Sequence, residues 1–265
     1  MTVTPITSPP TVWDRVVCGI DPTPASLEAA RFAAELMPAA APLTLCAVAT
    51  PRTNEERAVH DWARHQAEDA VGHAQAEISP VHRADVRVRE GAAIRLLLDE
   101  LSTEHATLVA VGSHGHTRAV GMRQGSVATA MLHHAPCSVL IAHPPVPGSA
   151  KEGEEIIVAY DGSPAAQQAL ATARELGQRL SLRPRLIVAT GGAMIAPHLP
   201  WLAEDVPADV AVTEDPRGVV EALVDASASA RLLILGSRHL QGLPALWSVS
   251  ERAGHAARCP VLVVR

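Results

Sequence analysis

One pattern occurs twice in this chain, and the repeat constrains the fold more than any other feature. Near residue 110 an apolar run, LVAVGSHG, is followed by GSVA and then by APCSVLI. Near residue 235 the same order recurs as LLILGSRH, WSVS and ARCPVLVV. The 265 residues therefore contain two copies of one unit, each close to the usual domain size of about 100–150 residues.

Short apolar runs alternate with segments of helical periodicity in both copies. The strands predicted in the first copy lie near residues 15–21, 43–49, 86–91, 106–111 and 138–142. The second copy repeats that order, with a Pro-rich stretch at residues 191–207 where the first copy has its long helix. Strands that alternate with helices imply βαβ crossovers and a parallel sheet covered on both faces. The predicted fold class is α/β, with two five-stranded parallel sheets in tandem.

Composition places the boundaries between these units. Residues 1–12 have neither the charged region nor the apolar region of a signal peptide, and they predict a disordered tail. The first domain then spans 13–143 and the second 154–265. The linker between them, 144–153, is rich in Pro, Gly and charge, which stops either neighbouring element from continuing through it.

Charge and hydropathy exclude several classes of function. The net charge is −6 and no basic block occurs, so we expect neither nucleic acid nor a membrane surface as a partner. No apolar stretch approaches the roughly 18 residues of a membrane span. Aromatic residues make up only 2% of the chain, which predicts an aliphatic core partly covered by Trp13 and Trp62.

The cysteines indicate a reducing compartment. None belongs to a CxxC pair, and each lies in or opens an apolar strand-like run, which predicts buried, unreactive thiols in the cytoplasm. The four are Cys18, Cys46, Cys137 and Cys259.

A glycine-rich loop in the first copy is the candidate binding site. Gly112, Gly115, Gly125 and Ser126 follow a predicted strand and precede a predicted helix. Ligands of open α/β sheets bind beyond the carboxyl ends of the strands, where loop N–H groups and a helix N-terminus attract anions. The spacing favours a phosphate site. The alternative is that these glycines only form tight turns.

Two further residues are predicted to lie at the same edge of the sheet. Asp21 ends the first strand and could bind a ribose hydroxyl or a phosphate-bound cation, while the backbone of Val48 could meet an adenine edge. The glycine spacing is neither a Walker A loop nor GxGxxG. No serine has the two flanking glycines of a nucleophile elbow.

The second copy keeps the frame of the motif and loses its glycines. Gly115 is replaced by His239 and Gly125 by Trp247, although Asp161 remains after the first strand of this copy. Glycine lets a ligand approach the backbone closely, whereas tryptophan fills that space. We therefore expect one half to hold a phosphate ligand and the other to be a structural copy.

The complete motif, G-x2-G-x9-G-S with an aspartate after the first strand, resembles that of nucleotide-binding universal stress proteins. The chain is similar to a tandem member of that family, because APCSVL, CPVLVV and the Asp-Gly-Ser opening of the second copy also match it. The resemblance implies Rossmann-like domains of the adenine nucleotide α-hydrolase type. It also implies a pseudo-dimer that pairs the strand near Val139 with the strand near Val261.

The same resemblance implies an ATP-binding, cytoplasmic stress-response regulator. The triphosphate would lie on Gly112, Gly115, Gly125 and Ser126, with the ribose near Asp21 and Mg²⁺ accompanying the nucleotide. No general base is evident, so hydrolysis is expected to be slow or absent. Whether two chains form a homodimer, and which protein partner they bind, stays open. The alternatives are a nucleotide-free scaffold that recruits a protein partner and, third, a small-molecule hydrolase.

Overall fold

The structure is a computed structural model that describes residues 13–50, 57–78, 82–113, 126–144, 154–191, 206–237 and 249–265. We call residues 13–144 half one and residues 154–265 half two. Half one contains β1 (Val16–Ile20), α1 (Pro24–Leu36), β2 (Leu43–Ala49), α2 (Arg57–Glu77), β3 (Ala84–Glu90), α3 (Ala93–Thr103), β4 (Leu108–Gly112), α4 (Ser126–His134) and β5 (Ser138–Ala142). Half two contains β6 (Glu155–Ala159), α5 (Pro164–Leu180), β7 (Arg183–Ala189), β8 (Ala211–Asp215), α6 (Val219–Ala226), β9 (Leu232–Gly236), α7 (Val249–Ala256) and β10 (Val261–Val264).

The ten strands within the described residues belong to one sheet, in the order β3-β2-β1-β4-β5-β10-β9-β6-β7-β8. The strands within each half are parallel, as predicted. The halves join through an antiparallel ladder in which Leu140 of β5 faces Leu262 of β10. The predicted pairing of these last strands is therefore confirmed, and it merges the two predicted five-stranded sheets into one continuous mixed sheet.

Helices cover both faces of the sheet. Buried residues of α1, α2 and α5 pack with alternate strand residues into one cluster that runs through both halves. On the opposite face, α3 and α4 cover half one, and α6 and α7 cover half two. The inner strands are largely buried on both faces, which explains why their sequences are continuous apolar runs. The two edge strands, β3 and β8, are largely exposed.

The two tryptophans that were expected to cover the core differ in their burial. Trp13 is buried as predicted, but Trp62 on α2 is 63% exposed, so the expectation that it covers the core is wrong. The buried face of α2 is formed by Ala67, Ala70, Val71 and Ala74, and Trp62 lies outside it. The predicted tail, 1–12, and residues 145–153 of the linker lie outside the described residues, so the domain boundaries stay predictions.

The four cysteines are buried and free of disulfides. Burial raises the pKa of the Cys18 and Cys259 thiols to about 12, and that of Cys46 and Cys137 to about 11. These thiols are therefore protonated at neutral pH. Among the described residues, no helix is long and apolar enough to cross a membrane.

Truncation of the ladder that joins the halves should destabilise the chain. Leu140 is fully buried opposite Leu262, so we expect Leu140→Ala to lower the free energy of unfolding by about 2–5 kcal/mol. Val86→Ala, on the exposed edge strand β3, is the control and should cost less than about 1 kcal/mol. Urea titration followed by circular dichroism measures both. Equal losses of unfolding free energy in the two variants would show that Leu140 in the β5–β10 ladder contributes no more to stability than an exposed edge residue.

Candidate functional site

The predicted site residues that the structure describes lie on one edge of the sheet. Asp21 directly follows β1, Val48 is the penultimate residue of β2, and Gly112 ends β4. Because these strands are parallel, their carboxyl ends share an edge. The chain winds from β1 outward to β2 and β3, then returns to add β4 on the other side of β1. The crevice between β1 and β4 is therefore the switch point at which α/β sheets bind ligands.

The Asp21 carboxylate is built into the turn that begins α1. Its Oδ1 accepts a hydrogen bond from the Thr23 backbone N–H at 3.1 Å and another from the Thr23 hydroxyl. The backbone of Asp21 is tied to Ser26, whose hydroxyl donates to the Asp21 carbonyl at 2.7 Å and accepts from the Asp21 N–H at 3.1 Å. The structure thus fixes the position of this carboxylate before any ligand arrives.

Gly112 is required by packing. A Cβ on this residue would lie 2.8 Å from the Ser26 nitrogen and 3.0 Å from the carbonyl carbon of Ala25, both in the first turn of α1. Real side chains do not approach backbone atoms so closely, so only glycine lets β4 end against α1. The space that a side chain would take at residue 112 is filled by the protein itself and is not a cradle for a ligand.

Half two repeats both arrangements. Asp161 Oδ1 accepts from the Ser163 backbone N–H at 3.0 Å, as Asp21 does from Thr23. A Cβ on Gly236 would lie 2.1 Å from the carbonyl oxygen of Ala165 in the first turn of α5. The aspartate and the first glycine of the motif are therefore needed by the fold in both halves. Their survival in half two does not indicate a ligand there.

The second and third glycines of the motif, Gly115 and Gly125, occur in half one and are replaced in half two. Gly115 and Gly125 lie outside the described residues, and α4 begins at Ser126 immediately after them. Since α4 connects two parallel neighbouring strands, its N-terminus opens at the same edge as Asp21. A helix N-terminus presents unpaired backbone N–H groups and the positive end of the helix dipole.

A charged group beside Val48 was missed by the sequence-based prediction. The register of β2 and β3 places Val48 next to Arg89, whose guanidinium lies 3.2 Å from the carboxylate of Glu100 on α3. Glu100 is only 3% exposed and also faces Arg87 at 3.8 Å. The alternation Val-Arg-Val-Arg in β3 was the available signal, but a partner on a different helix cannot be read from spacing.

At the corresponding edge of half two, the end of β7 packs against the segment between β8 and α6. A Cβ on Gly191, just after β7, would lie 2.1 Å from the carbonyl oxygen of Pro216. The Arg217 side chain hydrogen-bonds to Asp215 at 2.7 Å and also to Asp225. The hydrogen bonds from Arg217 lower the pKa of Asp215 to about 2. Arg217 therefore pairs with both aspartates at the β8 end of this edge.

No group of three His, Cys, Asp or Glu side chains within the described ranges could hold a metal ion. A cation at this edge would therefore need ligands from elsewhere in addition to Asp21. Phosphate oxygens of a nucleotide commonly supply such ligands to Mg²⁺.

The fold and the crevice together define an α/β protein of the adenine nucleotide α-hydrolase type, built twice in one chain. The sequence profile of the universal stress protein family matches residues 13–143 and 200–265. A universal stress protein of Mycobacterium tuberculosis is 30% identical, and the alignment covers 94% of this chain and 96% of that relative. A universal stress protein of Mycolicibacterium smegmatis is 27% identical, and the alignment again covers 94% of this chain and 96% of that relative.

The fold has a counterpart among solved structures. The crystal structure of a universal stress protein from Archaeoglobus fulgidus superposes with a TM-score of 0.73 at 18% identity, covering 96% of this chain and 98% of that one. The chain belongs to the universal stress protein family, as a tandem member with two such units in one polypeptide.

The packing role of the first motif glycine can be tested in both halves. We expect Gly112→Ala and Gly236→Ala each to lower the free energy of unfolding by about 1–3 kcal/mol, because the new methyl group meets backbone atoms. Gly72→Ala, on the exposed side of α2 with nothing within 4 Å, is the matched control and should stabilise by about 0.5–1 kcal/mol. Chemical denaturation measures all three. A neutral Gly236→Ala would contradict the structural role assigned to this position.

Proposed function

We propose that half one binds ATP with Mg²⁺ and that the chain acts as a nucleotide-dependent regulatory protein in the cytoplasm. The observation that carries this proposal is the arrangement at the β1–β4 switch point. There the fixed carboxylate of Asp21 and the N-terminus of α4 open at one edge, and only half one joins them by the complete set of glycines.

The donor groups fit a magnesium nucleotide. The loop that contains Gly115 and Gly125 leads into α4 at Ser126. Its backbone N–H groups, together with the dipole of α4, would offset triphosphate charge. Asp21 would hold a ribose hydroxyl or share the cation with phosphate oxygens. The backbone of Val48 would lie at the adenine edge, beside Arg89. When bound, the nucleotide would supply the negative charge that interacts with the loop N–H groups and the N-terminus of α4.

Half two is proposed to bind no nucleotide. It lacks the second and third motif glycines, and Trp247 stands at the position of Gly125. At its equivalent edge, Gly191 packs against the backbone of Pro216 and Arg217, and the Arg217 side chain is already paired with Asp215 and Asp225. What remains of the motif has the packing role described above.

Hydrolysis is proposed to be slow or absent. Fast phosphoryl transfer requires an oriented nucleophile and positioned positive charge. The Asp21 carboxylate at this edge is engaged by Thr23 in the turn that begins α1. Bound nucleotide would then act by favouring one conformation of the chain over another.

ATP should raise the melting temperature of the protein. A ligand that binds only the native state stabilises by about 2.7 kcal/mol at a hundredfold excess over Kd, or roughly 5–10 °C for a chain of this size. Differential scanning fluorimetry with millimolar Mg-ATP measures the shift. Gly115→Trp should abolish it, whereas Trp247→Gly should leave it unchanged. No shift in the wild type would favour the nucleotide-free scaffold.

The charge of Asp21 can be separated from its structural role. Asn keeps an Oδ1 acceptor for the Thr23 N–H, so Asp21→Asn should barely change the melting temperature of the apo protein. Loss of the charge should weaken Mg-ATP binding about tenfold or more, measured by isothermal titration calorimetry. Asp161→Asn, the matched change in half two, should leave the affinity as it is. If both variants bind like the wild type, Asp21 does not contact the ligand.

A further inference from the structure

The helices α4 and α7 meet where the two halves join. Thr129 Oγ1 of α4 lies 3.0 Å from His255 Nε2 of α7, within hydrogen-bond distance. One turn further along α4, His133 Nε2 lies 3.4 Å from Glu251 Oε2. When the two copies are aligned, His133 corresponds to His255 and Thr129 to Glu251. The two contacts are thus the same pair of positions seen from opposite sides of a pseudo-twofold axis.

Between these polar contacts, a large residue of α4 packs against a small residue of α7. Leu132 of α4 aligns with Gly254 of α7. A Cβ on Gly254 would lie 3.1 Å from Ile141 Cδ1 and 3.5 Å from Leu132 Cδ1. The side chain of Leu132 packs against the cores of both halves. The divergence of the two copies has therefore produced complementary surfaces on α4 and α7.

Half two also contacts the last turn of α4. The guanidinium of Arg265, which follows β10, donates hydrogen bonds to the backbone carbonyls of Leu132 and Ala135. These carbonyls have no partner within the helix, and a cation there complements the negative end of the helix dipole.

The helix α4 depends on packing from both halves: Ala128 and Met131 are fully buried in the core of half one, and half two adds the contacts described above. It has only nine residues, and isolated helices shorter than about 12–15 residues are marginal in water. Its stability therefore comes from packing, and half two contributes contacts from Thr129, the fourth residue of the helix, to its C-terminal end. The N-terminus of α4 is the residue on which the glycine loop ends.

We propose that half two is a positioning module for the nucleotide site of half one. His255 and Glu251 of α7 hold α4, and through it the N-terminus at Ser126, in the orientation that receives the phosphates. His255 and Glu251 are positioning residues, because they act on the ligand only through α4. This inference rests on the proposed binding of ATP to half one. It gives the degenerate copy a role that the loss of its own motif would otherwise leave unexplained.

The test uses the full-length chain and removes the contact nearest to the site. His255→Phe keeps a ring of similar size and deletes the hydrogen bond to Thr129. We expect faster hydrogen–deuterium exchange of the α4 amides in the absence of nucleotide. We also expect the Kd for Mg-ATP to rise about three- to tenfold, since a net hydrogen bond corresponds to about that factor. Thr129→Val should have the same effect, and the double variant should be no worse than either single one.

The control breaks a contact between the halves on the opposite face of the sheet. Arg231 lies over the Phe32 ring at 4.5 Å and pairs with Glu35, both in the last two turns of α1. Arg231→Met should lower the melting temperature and leave both the Kd and α4 exchange unchanged. The proposal is overturned if this control weakens ATP binding as much as His255→Phe does. It is also overturned if His255→Phe changes neither the exchange nor the Kd.

Failure of the ATP proposal gives a different result. If the wild type binds no Mg-ATP, the function proposed for half one is wrong, and so is the part of this inference that concerns affinity. The exchange of α4 then still decides whether half two positions this helix. Faster exchange in His255→Phe and Thr129→Val, but not in Arg231→Met, would support that structural part, and unchanged exchange would refute it.

Discussion

The antiparallel ladder between β5 and β10 determines how everything else in the molecule is arranged. Each half is parallel within itself, so pairing the two last strands in opposite directions turns half two around relative to half one. The carboxyl edges of the two halves consequently lie on opposite edges of one sheet. Among the residues that the structure describes, the halves contact each other through the sheet and through the helices packed at the junction.

The same ladder places α4 beside α7. Both helices precede the last strand of their half, and reversal of the halves makes them run in opposite directions. Thr129 therefore faces His255 while His133 faces Glu251, and the side chain of Leu132 fits against Gly254. Two copies that began as equivalent can specialise at such a junction, because a change on one helix is complemented by a different change on the other.

The motif combines residues under two different constraints. Gly112 and Asp21 satisfy steric and hydrogen-bonding requirements of the turn into α1, and Gly236 and Asp161 satisfy the same requirements in half two. A copy that no longer binds a ligand must still keep them. The later motif positions have no such counterpart in half two, where His239 and Trp247 have replaced glycine. The two copies thus differ at the motif positions for which the structure shows no packing role.

Much of the fold follows from sequence periodicity. The bounds of β2 and β5 agree with the predicted strands, because buried parallel strands are continuous apolar runs. The pairing of the last strands was expected only through the family resemblance. Contacts between distant elements were not predictable, since neither Arg89 with Glu100 nor Thr129 with His255 leaves a local pattern. The packing role of Gly112 was also missed, because a glycine in a loop motif is equally consistent with an approaching ligand and an approaching helix.

Native mass spectrometry of the full-length chain with Mg-ATP most directly tests whether the two halves have divided their roles. A nucleotide held by half one and a half two that only supports it predict a single bound ATP per chain at saturation. Two bound nucleotides of similar affinity, or none at any concentration below protein precipitation, would contradict that division.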